Sequence, residues 1–147
     1  MSTEENKRNV VRWREEIWNN RNLNVVDELA VPEYLYHRAG VPDPVQGREA
    51  LKELFAAYLA AFNTHVTPEF LIAEGNMVAV RDTCWLKHTG DFQGHPPTGK
   101  EVKIHSTDIY RIVDGRFVEQ WFEADLTTMQ HQLGLPPQPT SQPRPAG

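Results

Sequence analysis

The amino-acid sequence predicts an α+β domain in which helices come first and pack on one face of an antiparallel sheet. Three observations predict it. Apolar residues recur every three or four positions as far as Phe62, the period changes to two from Val66 onward, and Asp114-Gly115 separates two alternating runs. A chain of 147 residues suits one domain of roughly 100 to 200 residues. It can bury about two thirds of the surface it exposes unfolded, so stability needs neither a disulfide nor a structural metal.

The first helix is expected over Ser2 to Asn19, where Val10, Trp13 and Ile17 form an apolar stripe and Glu4 and Glu5 suit the positive end of the helix dipole. Asn22 to Ala30 repeats the pattern with Leu23, Val26 and Leu29, and Pro32 stops it. After a loop with Pro42, Pro44 and Gly47, the clearest helix runs from Arg48 to Phe62, with Leu51, Leu54, Phe55, Tyr58, Leu59 and Phe62 on one face. Strands follow. Met77, Ala79, Arg81, Thr83 and Trp85 alternate with Val78, Val80, Asp82, Cys84 and Leu86. Lys100 to Val113 and Arg116 to Asp125 form a hairpin across Asp114-Gly115, a dipeptide favoured in type I′ turns. A short helix, Leu126 to Leu133, ends at Gly134. Beyond it Pro136, Pro137, Pro139, Pro143 and Pro145 predict a flexible tail, giving one domain over 1–134 and a tail over 135–147.

Composition narrows the function classes. Fifteen basic against twenty acidic residues give a net charge of −5, and the basic residues are scattered, which argues against a nucleic-acid partner. Apolar runs fall far short of the roughly 20 residues that span a bilayer, so no membrane partner is expected. The single Cys84, the lack of an Asn-x-Ser/Thr sequon and the lack of a charged-then-apolar leader at Met1 predict a cytoplasmic protein. His88, His95 and His105 fit neither H-x-H nor H-E-x-x-H, so no metal is expected. Without a Gly-rich phosphate loop or a G-x-S-x-G elbow, no nucleotide or other cofactor is expected either.

Pairing outward from the turn sets Val113 opposite Arg116, Tyr110 opposite Glu119 and Asp108 opposite Trp121. Ser106, Asp108, Tyr110, Glu119 and Trp121 would then share one face, with Thr107, Ile109, Val118 and Phe122 on the other. A bulge near Trp121 would re-aim Phe122, Glu123 and Asp125. Asp108, mid-strand beside an indole, is the leading candidate for an acid/base carboxylate with a raised pKa, the alternative being a solvent-facing aspartate. Asp125 is a second candidate, though its place before the last helix equally suits an N-cap. His37, after Tyr34-Leu35-Tyr36, lines a cavity or caps a loop, and Cys84 reads as a small core residue.

The stretches Gly90-Asp91-Phe92-Gln93-Gly94-His95-Pro96-Pro97-Thr98-Gly99-Lys100, Asp108 to Arg116, Glu119-Gln120-Trp121 and Gln132-Leu133-Gly134 resemble the SnoaL-like polyketide cyclase family. So do Pro32-Glu33-Tyr34 and Gly47-Arg48-Glu49-Ala50, so the resemblance covers nearly the whole chain. It implies the cone fold of ketosteroid isomerase and nuclear transport factor relatives, a curved antiparallel sheet wrapped around N-terminal helices with one apolar pocket. A homo-oligomer, dimer or tetramer, is implied through the sheet. The cyclases close a ring by an intramolecular aldol step, without metal or organic cofactor, using an acid/base aspartate whose position on the last strand is Phe122 here. The partner position on the preceding strand, a histidine in those cyclases, is Asp108, and the polar position two residues earlier is Ser106.

The resulting expectation is a cofactor-independent cyclase or isomerase for a hydrophobic, polycyclic small molecule. Asp108 or Asp125 would carry the proton, and Tyr36, His37, Trp85, His105, Ser106, Tyr110, Trp121 and Phe122 would bind substrate. Phe122 favours the alternative, a binding or carrier protein of the same fold. A cavity filled by its own side chains would instead favour an assembly domain.

Overall fold

The Ser2 hydroxyl accepts a hydrogen bond from the Glu5 amide and starts helix α1 (Thr3–Trp18) in the computed structural model, which describes residues 2–136. Helix α2 (Asn24–Leu29) follows, then strand β1 (Ala30–Arg38), the short β2 (Val45–Gln46) and helix α3 (Arg48–Ala61). Strands β3 (Phe62–Glu74), β4 (Met77–His88), β5 (Glu101–Val113) and β6 (Arg116–Ala124) lead to helix α4 (Leu126–Leu133). Gly134 ends α4 in the left-handed region at φ 71°. The tail expected from residue 135 falls almost entirely on 137–147, outside the described residues.

The six strands form one open, curved sheet in the order β2-β1-β6-β5-β4-β3. It is not wholly antiparallel as expected, because β1 runs parallel to β6. Strand β1 itself was not foreseen. Pro32, which stops α2, stands where the β1–β6 ladder is interrupted between Ala30 and Leu35, the kind of place a residue without an N–H tolerates. Helix α3 passes into β3 at Phe62, four residues before the expected change of period. At the far edge, the Asn19 side chain donates to the Val66 carbonyl at 3.0 Å and accepts from its amide at 2.7 Å, which covers part of an open strand edge.

Asp114 and Gly115 both have positive φ, and Val113 pairs with Arg116 as a type I′ turn requires. Ile112 then pairs with Phe117 but Arg111 with Glu119, so Val118 is the extra residue of a β-bulge. The bulge lies three residues nearer the turn than Trp121. Everything beyond it changes face: Tyr110 pairs with Gln120 and Asp108 with Phe122.

Helix α1 lies against the inner face of the sheet and buries Val10, Trp13, Arg14 and Ile17. Trp13 stacks on Phe117 with ring centroids 4.8 Å apart and meets Tyr34 and Tyr110 in the main core. A second apolar cluster joins Phe62, Val66, Phe92, Val102 and Ile104 to Met129 and Leu133 of α4. Among the described residues no helix is long and apolar enough to cross a membrane.

Candidate active site

Arg14 occupies a position on the apolar stripe of α1 and is 3% exposed. A buried guanidinium needs both charge and hydrogen-bond partners, and the inward positions of β4 and β5 supply them. Arg14 Nε and Nη2 stand 2.7 and 2.5 Å from Asp82 Oδ2, and Nη1 stands 3.4 Å from both Asp108 Oδ2 and the Tyr110 hydroxyl. Asp82 and Asp108 are completely buried. The Ser106 hydroxyl reaches Asp82 Oδ2 at 3.5 Å and lies 3.4 Å from Cys84 Sγ.

From β6, Gln120 Nε2 donates to Asp108 Oδ2 at 2.6 Å and to the Tyr110 hydroxyl at 3.2 Å, while Gln120 Oε1 accepts from the Tyr34 hydroxyl at 2.7 Å. Asp82 Oδ1 and Asp108 Oδ1 have no partner among the described residues.

The electrostatics follow from one cation shared by two carboxyls. Burial raises the Asp108 pKa from 3.8 to about 6, against the opposing pull of Arg14 and the Gln120 amide, with Asp82 adding to the rise. Burial alone would lower the Arg14 pKa, but Asp108, Tyr110 and Asp82 outweigh it and hold the guanidinium charged. Burial pushes Tyr34, Tyr36 and Tyr110 well above the ordinary phenol range, so they act as neutral hydroxyls.

Beside this network an apolar cavity opens between α1, α3, α4 and the sheet, with about 670 Å³ of empty space that takes in open solvent beyond its mouth. Trp18, Tyr36, Phe55, Tyr58, Phe62 and Phe122 supply aromatic walls, and Leu86, Ile104 and Met129 aliphatic ones. Among the described residues Arg14 is the one charged residue of the lining, with Ser106, Cys84 and Thr64 as small polar neighbours. The cavity therefore offers an apolar body with a cationic hydrogen-bond donor, the form of a small-molecule site. Among the described residues no group of three His, Cys, Asp or Glu is placed to hold a metal ion.

Of the residues singled out from sequence, Tyr36, Ser106 and Phe122 line the cavity. Asp108 and Tyr110 sit in the network behind its wall. Trp121 does not join them, because the Val118 bulge turns it to the outer face opposite Ile109. There the His37 ring stacks on Trp121 at 5.2 Å, and His37 Nε2 lies 2.6 Å from Glu119 Oε2. Trp85 and His105 are also on the outer face: Trp85 lies under the Lys103 ammonium at 5.0 Å, and His105 Nδ1 is 3.5 Å from the Thr83 hydroxyl. None of these four lines the cavity. Asp125 is the N-cap of α4, accepting from the Thr128 hydroxyl at 2.5 Å and the Thr128 amide at 3.0 Å, and these bonds lower its pKa.

Sequence reasoning missed Arg14, Asp82, Gln120 and Tyr34 as site residues. Two had a signal. Arg14 is one residue from Trp13 and three from Ile17 on the same stripe, and Asp82 alternates with Val78, Val80 and Cys84 on the inward side. Gln120 becomes inward only once the bulge is known, and Tyr34 only once β1 is a strand.

A family model for SnoaL-like polyketide cyclases matches residues 8–133. IdmH of Streptomyces antibioticus, a proposed polyketide cyclase, is similar at 28% identity over 88% of this chain and 98% of its own, with a TM-score of 0.76. AclR of Streptomyces galilaeus, a proposed hydroxylase, is 27% identical over 93% of this chain and 89% of its own, with a TM-score of 0.81. A Catenulispora acidiphila protein with a ketosteroid isomerase-like fold shares 20% identity over 87% of this chain and 93% of its own, with a TM-score of 0.72. No curated protein matches the chain. These likenesses establish the cone fold, while the different activities proposed for the neighbours leave the reaction to be argued from the site.

Proposed function

The chain belongs to the SnoaL-like polyketide cyclase family, and on that premise we propose that it is a cofactor-independent acid/base enzyme, of the cyclase or isomerase type, acting on a hydrophobic ring-bearing ketone. The observation that carries this reading is Arg14, which lines an apolar cavity and at the same time contacts Asp108. A substrate carbonyl at the Arg14 and Ser106 end would gain a cationic donor as its oxygen becomes an enolate, in a site where water no longer screens the charge. Asp108, with a pKa near 6, is suited to accept the proton that leaves the adjacent carbon and to return it. Ser106 and Phe122, its neighbours along and across the sheet, line the cavity. A cytoplasmic setting suits the lone reduced thiol of Cys84.

The test begins with thermal shifts against polyketide, steroid and terpenoid ketones, where a ligand at 100 times its dissociation constant stabilises by about 2.7 kcal/mol. For a compound that binds and turns over, Asp108→Asn should keep the shift and reduce turnover by roughly 10²- to 10⁴-fold. Turnover unchanged in Asp108→Asn overturns the catalytic assignment.

A second reading, a non-catalytic binding or carrier protein, is favoured by Phe122 on the wall and by the absence of Asp108 from it. Binding with no turnover of any compound selects that reading.

A further inference from the structure

Asp108 Oδ1 and Oδ2 have opposite surroundings. Oδ2 accepts from Gln120 Nε2 at 2.6 Å and faces Arg14 Nη1 at 3.4 Å, whereas Oδ1 has no partner among the described residues. The contact from Gln120 depends on which way its amide is turned, since a flipped amide would put oxygen against a carboxylate oxygen. Two hydroxyls bear on that choice. Tyr34 donates to Gln120 Oε1 at 2.7 Å, and the Tyr110 hydroxyl stands 3.2 Å from Gln120 Nε2. Tyr110 also lies within reach of Arg14 Nη1, a group that can only donate, so its oxygen is already an acceptor on that side.

Tyr34 is fully buried and Gln120 is 1% exposed, so neither has bulk solvent as a substitute partner. In the flipped orientation Gln120 would donate to the Tyr34 oxygen, and the Tyr34 proton would lose the acceptor it has now. The Tyr34 bond therefore favours the orientation in which an N–H meets Asp108.

We propose that Tyr34 and Gln120 are positioning residues for Asp108: Tyr34 fixes the Gln120 amide, Gln120 keeps Oδ2 an acceptor, and Oδ1 is left as the oxygen that takes up and releases the proton. The inference deepens the reading of Asp108 as the acid/base group and rests on it. The residues that reach Asp108 electrostatically are Arg14 from α1, Asp82 and Cys84 from β4, Tyr110 from its own strand, and Tyr34 and Tyr36 from β1. Of these, Tyr34 alone acts through the Gln120 amide oxygen.

Carbon-13 NMR titration of the Asp108 carboxyl in the ligand-free protein tests this, in wild type, Tyr34→Phe, Gln120→Met and the double variant. Loss of a hydrogen bond to the charged form should raise the Asp108 midpoint by about one pH unit in Gln120→Met. Tyr34→Phe, which keeps the buried ring and frees the amide to turn, should raise it by less. The double variant should match Gln120→Met, because the Tyr34 hydroxyl is neutral in this pH range and its hydrogen bond runs to the Gln120 amide.

An unmoved midpoint in Gln120→Met, or equal added shifts from Tyr34→Phe in both backgrounds, overturns the proposal. Should Gln120→Met fail to fold, Tyr34→Phe decides alone: a raised midpoint supports the relay and an unmoved one overturns it. The titration needs no substrate, so its failure is distinct from that of the catalytic reading, which falls if Asp108→Asn turns over normally.

Discussion

Arg14 holds Asp108 at 3.4 Å, a loose contact for a pair in which both side chains are shut off from solvent. The same guanidinium spends its two short contacts on Asp82. Burial disfavours the charged form of Asp108, and at 3.4 Å Arg14 offsets that only in part, so the Asp108 pKa rises to about 6.

Asp108 should destabilise the fold as pH rises through a defined window. Its folded pKa of about 6 exceeds the ordinary 3.8, so below that lower value both states are protonated and no penalty exists. Between the two values the unfolded chain releases its proton and the folded one retains it, and stability falls with rising pH by at most ~3 kcal/mol before levelling above about pH 6. Asp108→Asn lacks this term. Its stability relative to wild type, measured by urea unfolding from about pH 4 to pH 7.5, should climb across the window and then level. A constant difference would refute the raised pKa.

Arg14→Met should destabilise by about 3 to 5 kcal/mol at neutral pH, because it leaves Asp82 and Asp108 buried without a cation. Acid should partly restore the variant, since protonation removes the charges that have lost their partner. Adding Asp82→Asn should recover part of the loss at neutral pH. Unfolding curves at about pH 5 and pH 7 check both statements, and equal losses at the two values would contradict them.

Cys84 should alkylate slowly and respond to ligand. Burial raises its pKa, despite the opposing influence of Arg14 and Ser106, so little thiolate is present near neutrality. Its side chain nevertheless lines the cavity. Iodoacetamide labelling followed by mass spectrometry should run well below the rate of glutathione and slow further with a cavity ligand. Labelling as fast as that of the free tripeptide would place the thiol in solvent.

The outer face of the sheet should mediate self-association. Phe70 and Ile72 on β3 are 58% and 64% exposed, and Ile109 and Trp121 continue the apolar strip across β5 and β6. Wild type should sediment as a dimer or tetramer at micromolar concentration, and Ile72→Lys should shift it toward monomer. A monomeric wild type would refute the assignment.

How much could be read beforehand depended on whether the determining contacts were local. The stripe of α1, the Asp114-Gly115 turn and the end of α4 at Gly134 are set by residues within a turn of each other, and their patterns were legible. The Val118 bulge adds a single residue with no Gly or Pro to mark it, yet it reverses the facing of Gln120, Trp121 and Phe122. His37 was ambiguous for a related reason, since β1 owes its extended form to a partner more than eighty residues away. The inward placement of Asp108, by contrast, needed only the alternation of β5.

The parallel pairing of β1 with β6 also has a consequence for the order of assembly. During synthesis β1 emerges early, and until residues 116–124 follow it can pair only with the two-residue β2. Arg14 likewise waits for Asp82 and then Asp108, and Tyr34 for Gln120. The segment before α3 therefore leaves the ribosome with a guanidinium and a phenol destined for burial but unmatched. Closure of such distant contacts is slow, so the core around Arg14 forms only once β5 and β6 are made.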